Sequence, residues 1–467
     1  MDFAGTPTYP THRRFWPLIL LCAVLAAANI ALWFPGIMTH DSFRQYSEAV
    51  SGHYTAWHPP IMARLWSFLL PVSRGGSALL ILHILLYWLA FYLIAAKLYD
   101  AGHRKSSLAA VCIALAPPFI VLTGFIWKDV GMAVTMLAAF ALALRRDERP
   151  GGGIGIKIAM VLLLAYATLV RSNAIFGVAP LVLYAWRPKW ISRPFLLLLA
   201  SAAMIVVAIP ASSVINKVVL NAEGRAAFKS LVVYDMVGIA HYSGDASNFA
   251  VPVNIALVDH CYTPKWWDPI NLGPCEKPLL LDTRGMKFWV SAIVKHPVAY
   301  LEHRISHFNE AMFAFVGTET YRYEDTYFTR RYHAMPQAPL MLKGTELHAR
   351  FQSFPLFSPA LFVLIAVQIL GLVFAARRVA TPLAGASFYL ALSSVLYALS
   401  FLLVGVANMY RYQFYTVAAA AVALVLFLAD RSVRGGKPNR TEWACIMVTL
   451  LFLIAITVSR FVISGGM

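Results

Sequence analysis

Residues 77–97 read SALLILHILLYWLAFYLIAAK, and this stretch decides the class of fold. As a helix it is long enough to cross a bilayer core of roughly 30 Å, and its first charged residue is Lys97, at the very end. The whole chain of 467 residues has the same character, since 60% of it is hydrophobic and 13% charged, whereas soluble domains carry about 25% charged residues. We therefore predict an all-α, polytopic membrane protein.

Apolar stretches of similar length recur along the chain. We predict about eleven transmembrane helices, at residues 15–35, 77–97, 107–126, 129–145, 155–170, 174–187, 195–219, 356–376, 381–404, 412–430 and 441–463. The first is not expected to be a cleavable signal peptide, because its apolar run is too long and Trp33-Phe34-Pro35 lacks the small residues of a cleavage site.

The formal net charge of +17 is unevenly distributed between the loops. If the N-terminus is cytoplasmic, the cytoplasmic segments hold 18 of the 39 Lys and Arg residues and the short outer segments hold 7, with the rest in one long outer loop. Short loops determine orientation under the positive-inside rule, so we predict an N-in, C-out topology. Because topology accounts for the basic charge, we predict no nucleic-acid partner.

The predicted spans divide the chain into three parts. Residues 1–220 form a seven-span catalytic membrane module whose first extracytoplasmic loop, 36–76, is expected to contain two short surface helices. Residues 221–355 form an extracytoplasmic domain, and residues 356–467 form a four-span C-terminal membrane module. Within the extracytoplasmic domain, an amphipathic segment at about 286–316 is expected to lie against the membrane or to cover a lateral opening.

The cysteines agree with this orientation. Cys22, Cys112 and Cys445 fall inside predicted spans, whereas Cys261 and Cys275 both fall in the long outer loop. An oxidising outer compartment would permit a disulfide between these two, and the alternative is a pair of unpaired thiols. No close Cys-x-x-Cys or neighbouring His pair accompanies them, which argues against a metal site there.

Polar residues gather at the outer ends of several predicted spans, at one membrane level. They are Asp41, Arg44 and His58 after the first span, Lys128 and Asp129 between the third and fourth, Arg171 and Asn173 between the fifth and sixth, and Tyr410 and Arg411 between the ninth and tenth. The two carboxylates, together with the three cations Lys128, Arg171 and Arg411, suit a reaction on a phosphate-linked lipid. The cations would neutralise phosphate, with Arg able to form two parallel hydrogen bonds, and a carboxylate would accept a proton or bind a divalent metal.

The layout resembles a known class of enzyme. An Asp opens the first long outer loop, a second acidic motif lies between spans three and four, and a large outer loop follows span seven. With the elements His58-Pro59-Pro60, Trp127-Lys128-Asp129 and Arg171-Ser172-Asn173, this resembles the GT-C superfamily of integral-membrane glycosyltransferases. The similarity is to the glycosyltransferase family 39-like branch, of protein mannosyltransferase and aminoarabinose transferase type. It covers residues 1–220 best.

The resemblance implies transfer of a sugar from a polyprenyl-phosphate donor to the hydroxyl of a lipid, glycan or protein acceptor, usually with inversion. The reaction would take place in the bacterial cytoplasmic membrane, among its lipids, at a site facing the periplasm. Asp41 matches the catalytic Asp of the family, the base for the acceptor, and Asp129 matches a second acidic position that binds acceptor or metal. No cofactor is implied beyond a possible divalent metal. The mannosyltransferases carry Asp-Glu at the catalytic position, whereas Ser42 follows Asp41 here.

The remaining candidate residues are assigned roles from their charge and from their expected position at the outer ends of the spans. Lys128, Arg171 and Arg411 are predicted to bind the donor phosphate. Further substrate-binding candidates are Arg44, His58, Asn173 and Tyr410.

Structural roles without chemistry stand beside these assignments. Asp41 and Ser42 could cap a surface helix, since both residue types are favoured at that position. Lys128 and Asp129 could neutralise each other in a tight hairpin.

The remaining polar candidates have similar alternatives. Arg171 could mark the membrane interface by snorkelling, and Arg411 could belong to an aromatic belt. His58 could serve a turn before the two prolines. His303 and His307, four residues apart on one helical face, could hold a metal, but a solvated face is the favoured reading.

Two other functions compete with glycosyl transfer. A transporter or flippase of lipid-linked sugars would need polar groups near the bilayer midplane, where the sequence places few. A polysaccharide ligase or polymerase would be expected to use cations of the large loop, such as Arg322, Arg330 and Arg331.

Overall fold

A computed structural model describes residues 16–145, 153–186, 194–223, 228–247, 249, 252–280, 286–317, 338–375, 381–433 and 438–465. Regular secondary structure in these ranges is helical, and their β-type contacts are three isolated bridges. The predicted all-α class is confirmed. The α-helices, numbered in chain order, are α1 Trp16–Trp33, α2 His40–Ser51, α3 Ile61–Leu69, α4 Ser77–Asp100, α5 Arg104–Ala114, α6 Pro117–Thr123, α7 Lys128–Arg145, α8 Ile154–Val170, α9 Ile175–Trp186, α10 Pro194–Val214, α11 Phe228–Ser243, α12 Ile255–Cys261, α13 Glu276–Leu280, α14 Met286–Lys295, α15 Pro297–Ala311, α16 Ala338–Gln352, α17 Pro359–Ala375, α18 Pro382–Val404, α19 Phe414–Val433 and α20 Arg440–Gly465.

The protein is a multi-pass helical membrane protein. Six of the described helices are long and apolar enough to cross a membrane, namely α1, α4, α10, α18, α19 and α20. The pair α5 and α6 makes a seventh candidate if it is one span, bent by 53° where Pro117 begins the second helix. Every predicted span overlaps a helix, but α8, α9 and α17 are shorter apolar helices. The number of eleven spans and the N-in, C-out orientation remain predictions.

Helix α7 lies at the centre of the bundle. It contacts α4, α8, α9 and α19, and its residues from Asp129 to Ala141 are all buried. Many of its side chains are Ala or Gly, and small side chains allow neighbouring membrane helices to approach closely. The outermost long helices are α10 and α20, each only 11% buried over its most apolar window. The first turn of α7, with Lys128 and Asp129, is therefore held by the best-packed part of the protein.

The connection from α1 to α2 is fixed against the start of α7. The Ile37 N–H donates to the Gly124 carbonyl at 2.8 Å, and the Ile126 N–H donates back to the Ile37 carbonyl at 2.9 Å. Gly36 allows this approach, because its φ is +105° and a Cβ there would lie 2.6 Å from Ile126 Cδ1. These contacts bring the first turn of α2 beside the first turn of α7.

A second hydrophobic cluster lies between α11, α12 and the disulfide loop, defined as residues 261–275. The predicted disulfide between Cys261 and Cys275 is confirmed, with a Cα–Cα distance of 5.9 Å. The Trp267 N–H donates to the Val406 carbonyl at 3.0 Å, and the rings of Trp57 and Trp267 lie 5.7 Å apart. The disulfide loop thus contacts both the 36–76 segment and the connection between α18 and α19.

Candidate active site

Asp41 is the second residue of α2 but not its cap. The N-cap is Thr39, whose N–H donates to Ser42 Oγ at 3.2 Å. The Ser42 hydroxyl in turn donates to the Ile126 carbonyl at 2.7 Å, which ties the turn to the start of α7. Ser42 thus serves the helix start, while the Asp41 carboxylate pairs with side chains of other elements.

The principal partner of Asp41 is Arg411. Arg411 Nη2 donates to Asp41 Oδ2 at 2.6 Å, and the guanidinium carbon lies 4.6 Å from the centre of the Trp127 ring. The Arg411 side chain is only 7% exposed, so this is a buried cation between an aromatic face and a carboxylate. The ion pair excludes a role for Arg411 confined to an aromatic belt.

His58 lies between Asp41 and Lys128. Its Nε2 is 3.7 Å from Asp41 Oδ1, and its Nδ1 is 3.1 Å from Lys128 Nζ. Burial and the charge of Lys128 lower the pKa of His58 to about 3, so the ring is neutral at pH 7. An ammonium only donates, so we assign Nδ1 as its acceptor and place the ring proton on Nε2, facing Asp41.

Asp129 is the most deeply buried carboxylate of the site. Its side chain is 1% exposed and pairs with Arg171 Nη1, while Arg411 Nε lies 3.7 Å from Asp129 Oδ2. A carboxylate at this depth requires such partners, because an unpaired buried charge is strongly unfavourable.

Arg171 is held on three sides. Besides Asp129, its Nε donates to Asn173 Oδ1 at 2.9 Å, and its guanidinium carbon lies 3.9 Å from the centre of the Tyr412 ring. Asn173 Nδ2 donates to Ser400 Oγ at 3.0 Å, which fixes this turn to α18. Arg171 is therefore a buried, paired cation rather than a snorkelling interface residue.

These contacts form one connected group, which we name the Asp41 network. In order of contact its members are Lys128, His58, Asp41, Arg411, Asp129 and Arg171. With His58 neutral, three cations face two carboxylates, and the formal charge is positive by one. The structure thus brings together residues from all four polar sets of the sequence.

Asp41 is more exposed than the two arginines of the Asp41 network. The Asp41 side chain is 28% exposed, against 7% for Arg411 and 14% for Arg171. Burial disfavours the charged form of Asp41, but the positive charges of Arg411 and Lys128 outweigh it and hold the pKa of this carboxyl well below its usual range. The network therefore presents a partly exposed, ionised carboxylate.

Four helices begin at the Asp41 network. Helices α2 and α7 start at His40 and Lys128, and α9 and α19 start directly after the 3-10 turns that contain Asn173 and Arg411. A helix N-terminus carries a partial positive charge and free N–H groups. The convergence adds to the positive potential made by the three cations, and it favours an anionic ligand.

Two predicted substrate-binding residues lie beside the network rather than in it. Arg44 is on the exposed side of α2, where its charge acts on His58 and Glu48 through space. Tyr410 is buried, and its hydroxyl donates to the Phe357 carbonyl at 3.0 Å. Tyr410 anchors the turn that carries Arg411, so the structure gives it a supporting position.

Asp268 is a candidate that the sequence reasoning missed. It lies in the disulfide loop, directly after Trp267. The Trp267 backbone bonds to Val406, in the connection between α18 and α19, and the Trp267 ring contacts Trp57. Burial raises the pKa of Asp268, and the negative charge of Asp41 raises it further. The sequence feature that could have identified Asp268 is its position between Cys261 and Cys275, directly after Trp266 and Trp267.

The expectation of a solvated face at His303 and His307 was wrong. Both rings are fully buried, and His303 Nε2 lies 3.1 Å from Asp235 Oδ1 while His307 Nδ1 lies 2.7 Å from the Pro264 carbonyl. The face is buried because α15 packs its polar side against α11. Within the described ranges, no group of three or more His, Cys, Asp or Glu side chains is arranged to hold a metal ion.

The site is a largely buried cluster of cations with one partly exposed carboxylate. Arg411 and Lys128 flank Asp41 and suit a phosphate, and Asp41 suits a hydroxyl that must lose a proton. Comparison with known proteins finds no family model, no curated protein and no solved structure that matches the chain.

Proposed function

We propose that this protein is a GT-C-like glycosyltransferase that moves a sugar from a polyprenyl-phosphate donor to an acceptor hydroxyl at the outer face of the bacterial cytoplasmic membrane. The Asp41 network carries the proposal. It gathers three cations, two carboxylates and four helix N-termini beside the ends of membrane helices, with a net positive charge. A polyprenyl phosphate has an anionic head on a long apolar chain, and it matches both parts of this setting.

In the proposed reaction, the acceptor oxygen bonds to the anomeric carbon of the sugar as the bond from that carbon to the phosphate oxygen breaks. The bonding electrons leave with the polyprenyl phosphate, and the hydroxyl proton passes to Asp41. Attack from the face opposite to the leaving group inverts the anomeric configuration. The residues therefore divide into a proton acceptor and a set of cations that stabilise the departing phosphate.

The Asp41–Arg411 pair links donor binding to the basicity of Asp41. In the resting site Arg411 holds Asp41 ionised, which makes the carboxylate a weak base. A phosphate that pairs with Arg411 competes with Asp41 for the same guanidinium. The pKa of Asp41 then rises, so the carboxylate becomes a better proton acceptor once the donor is present.

The other members support these two residues. Asp129 lies against both Arg171 and Arg411, so it fixes the cations that would receive the phosphate. Lys128 adds a cation on the other side of Asp41 and fixes the His58 ring. Arg44 is exposed beside the site, where it would contact the sugar or the acceptor, and Asn173 holds Arg171 in position.

The test is glycosyl transfer by the purified full-length chain in proteoliposomes, with radiolabelled polyprenyl-phosphate sugars as donors and envelope glycolipids as acceptors, with and without Mg²⁺ or Mn²⁺. We expect Asp41→Asn to reduce the rate about a hundredfold or more, because it removes the proton acceptor at nearly constant shape. Asp100→Asn is the matched control, since Asp100 is an exposed carboxylate at the far end of α4. Undiminished transfer by Asp41→Asn would refute the assignment of the base.

One observation favours a flippase of lipid-linked sugars as a second candidate. His83 of α4 is buried without a hydrogen-bond partner on either ring nitrogen, and the Tyr166 hydroxyl is likewise unpartnered among the described residues. Both groups border Gly131 of α7, inside the bundle. Transbilayer movement of a fluorescent lipid-linked sugar that survives Asp41→Asn and is lost in His83→Leu would favour this function.

The third reading, a polysaccharide ligase or polymerase, depended on Arg322, Arg330 and Arg331. These residues lie outside the described ranges. Alanine substitutions there, in the same transfer assay, separate a ligase from the proposed glycosyltransferase.

A further inference from the structure

Helix α15 has its polar side inward and its apolar side outward. The buried side carries His303, Arg304 and His307, all at most 2% exposed. Arg304 pairs with Asp235 of α11, and its Nη1 donates to the Gly405 carbonyl at 2.7 Å. This distribution is the reverse of that on a surface helix of a water-soluble domain.

The outward sides of α14 and α15 each carry a row of exposed apolar side chains. Within each helix the members follow each other at spacings of three or four residues, which places them on one face of that helix, and each is between 47% and 74% exposed. They are Met286, Val290, Val294, Val298, Leu301 and Ile305. We name this surface the 286–305 stripe.

The stripe belongs to a helix that packs against a candidate membrane helix. Helix α15 contacts α18, one of the six candidate spans, and the Arg304 bond to Gly405 places α15 at the end of that helix. At the same end Leu399, Leu403 and Val404 of α18 are also exposed. Both helices therefore expose apolar side chains in the region where α18 ends.

The composition of the stripe favours lipid over protein as its occupant. The stripe consists of one Met and five aliphatic side chains, whereas the centres of protein interfaces are enriched in Trp, Tyr and Arg. A helix in contact with hydrocarbon is most stable with its polar side chains turned inward, because hydrocarbon cannot form hydrogen bonds with them. An exposed apolar surface of this extent requires a covering in any case.

We propose that the 286–305 stripe is a bilayer-contact surface, and that α14 and α15 lie in the membrane interface with this side against lipid acyl chains. Interfacial helices bury their apolar side about 5–10 Å into the boundary between headgroups and chains. Lipid contact would set the height of the whole region, and this inference stands whether or not the protein transfers sugars.

The surface is connected to the Asp41 network through α15. On the inward side of the same helix, Arg304 holds Gly405, and Glu310 Oε2 accepts from Asn408 Nδ2 at 3.3 Å. Gly405 and Asn408 lie in the connection that carries Arg411. Contact between the stripe and lipid therefore fixes the level of Arg411 relative to the lipid headgroups, which is where the phosphate of a lipid-linked molecule lies.

The experiment places a photoreactive benzophenone amino acid at Leu301 of the full-length chain. The protein is reconstituted in vesicles of phosphatidylethanolamine and phosphatidylglycerol, irradiated, and analysed by intact-protein mass spectrometry for adducts of one lipid mass. Lys295 is the matched control position, because its exposed side chain lies about 100° around α14 from Val294 and pairs with Asp245. Val294 provides a second test position on α14, in case one substituted protein fails to fold.

We expect lipid adducts at Leu301 and Val294 to exceed those at Lys295 about twofold or more, because only the stripe would reach the acyl chains. Equal lipid adducts at all three positions would overturn the proposal. A covalent dimer as the main product at Leu301 would also overturn it, since the stripe would then be an interface between two copies.

Discussion

Lys128 and Asp129 are adjacent in the sequence, yet their side chains serve different partners. Lys128 Nζ lies 3.1 Å from His58 Nδ1, whereas Asp129 pairs with Arg171 and lies near Arg411. Consecutive residues of a helix point about 100° apart, so neighbouring charges at a helix start can reach separate groups. The two residues therefore extend the Asp41 network in two directions, while the charge of Asp129 also acts on Lys128 through space.

Removal of Arg171 should destabilise the protein strongly. Arg171→Met leaves the 1% exposed Asp129 without its closest partner, and we expect a loss of about 3–5 kcal/mol in the free energy of unfolding. The measurement is thermal unfolding in a single detergent. Arg145→Met is the control, because Arg145 pairs with the exposed Asp100, and such surface pairs contribute about 0–1 kcal/mol. Similar losses in both variants would contradict a special role for the buried pair.

Replacement of Arg411 by lysine should weaken phosphate binding while keeping the charge. Arg411→Lys loses the planar fork that can hold Asp41 and a phosphate, and we expect the dissociation constant for a polyprenyl phosphate to rise about tenfold or more. Binding can be measured by microscale thermophoresis in nanodiscs. The control is Arg350→Lys, which makes the same change at an exposed arginine paired with Glu346. A parallel loss in the control would point to a nonspecific effect.

His58 should make the protein sensitive to mild acid. The pKa of His58 is about 3 in the folded protein, against 6.5 ordinarily, because burial and Lys128 disfavour its charged form. At these pH values the unfolded chain therefore binds a proton at His58 that the folded protein does not bind. The free energy of unfolding falls as the pH decreases from about 6.5 toward about 3. His58→Gln cannot take up this proton, so its Tm should fall less than that of the wild type between pH of about 6.5 and 4. Parallel Tm profiles would show that the pKa of His58 is not lowered in the folded protein.

Asp268 should show the opposite dependence on pH. Burial and the nearby charge of Asp41 raise its pKa in the folded protein, so its neutral form is favoured there. The stabilising effect is complete below the unfolded pKa of about 3.9 and is lost as the pH rises through the folded value. Asp268→Asn stays neutral, so we expect its Tm to exceed that of the wild type near neutral pH and the difference to vanish below about pH 4. A difference that grows on acidification would contradict this environment for Asp268.

The sequence predicted the helical class and the helix positions well, because long apolar runs such as residues 77–97 have one stable form in lipid. It also predicted that polar residues from separate loops would lie at one level, since each follows or precedes a span. The side-chain partners of these polar residues could not be predicted from the sequence. The hydrogen bond between Asp41 and Arg411 joins residues 370 positions apart, and only the packing of α2, α7 and α19 decides it.

The direction in which a polar side chain points could not be predicted from the sequence. Tyr410 and Arg411 were both candidates for ligand binding, and the 3-10 turn directs Tyr410 toward Phe357 and Arg411 toward Asp41. The polar side of α15 was expected to face water, because periodicity shows that a helix has two unlike faces without showing which one is buried. Asp268 was missed for a related reason, since its position depends on how the disulfide loop lies against Val406.

The 370 residues between Asp41 and Arg411 impose an order on biosynthesis. At a translation rate of about 5–20 residues per second, Asp41 is made roughly 20–70 s before Arg411 leaves the peptidyl-transferase centre. Throughout that interval the carboxylate stands at the membrane without the arginine that completes its ion pair. A nascent chain stalled before residue 411 therefore already holds most of the membrane helices, with His58 and Lys128 beside Asp41, but it lacks the arginine that pairs with this carboxylate.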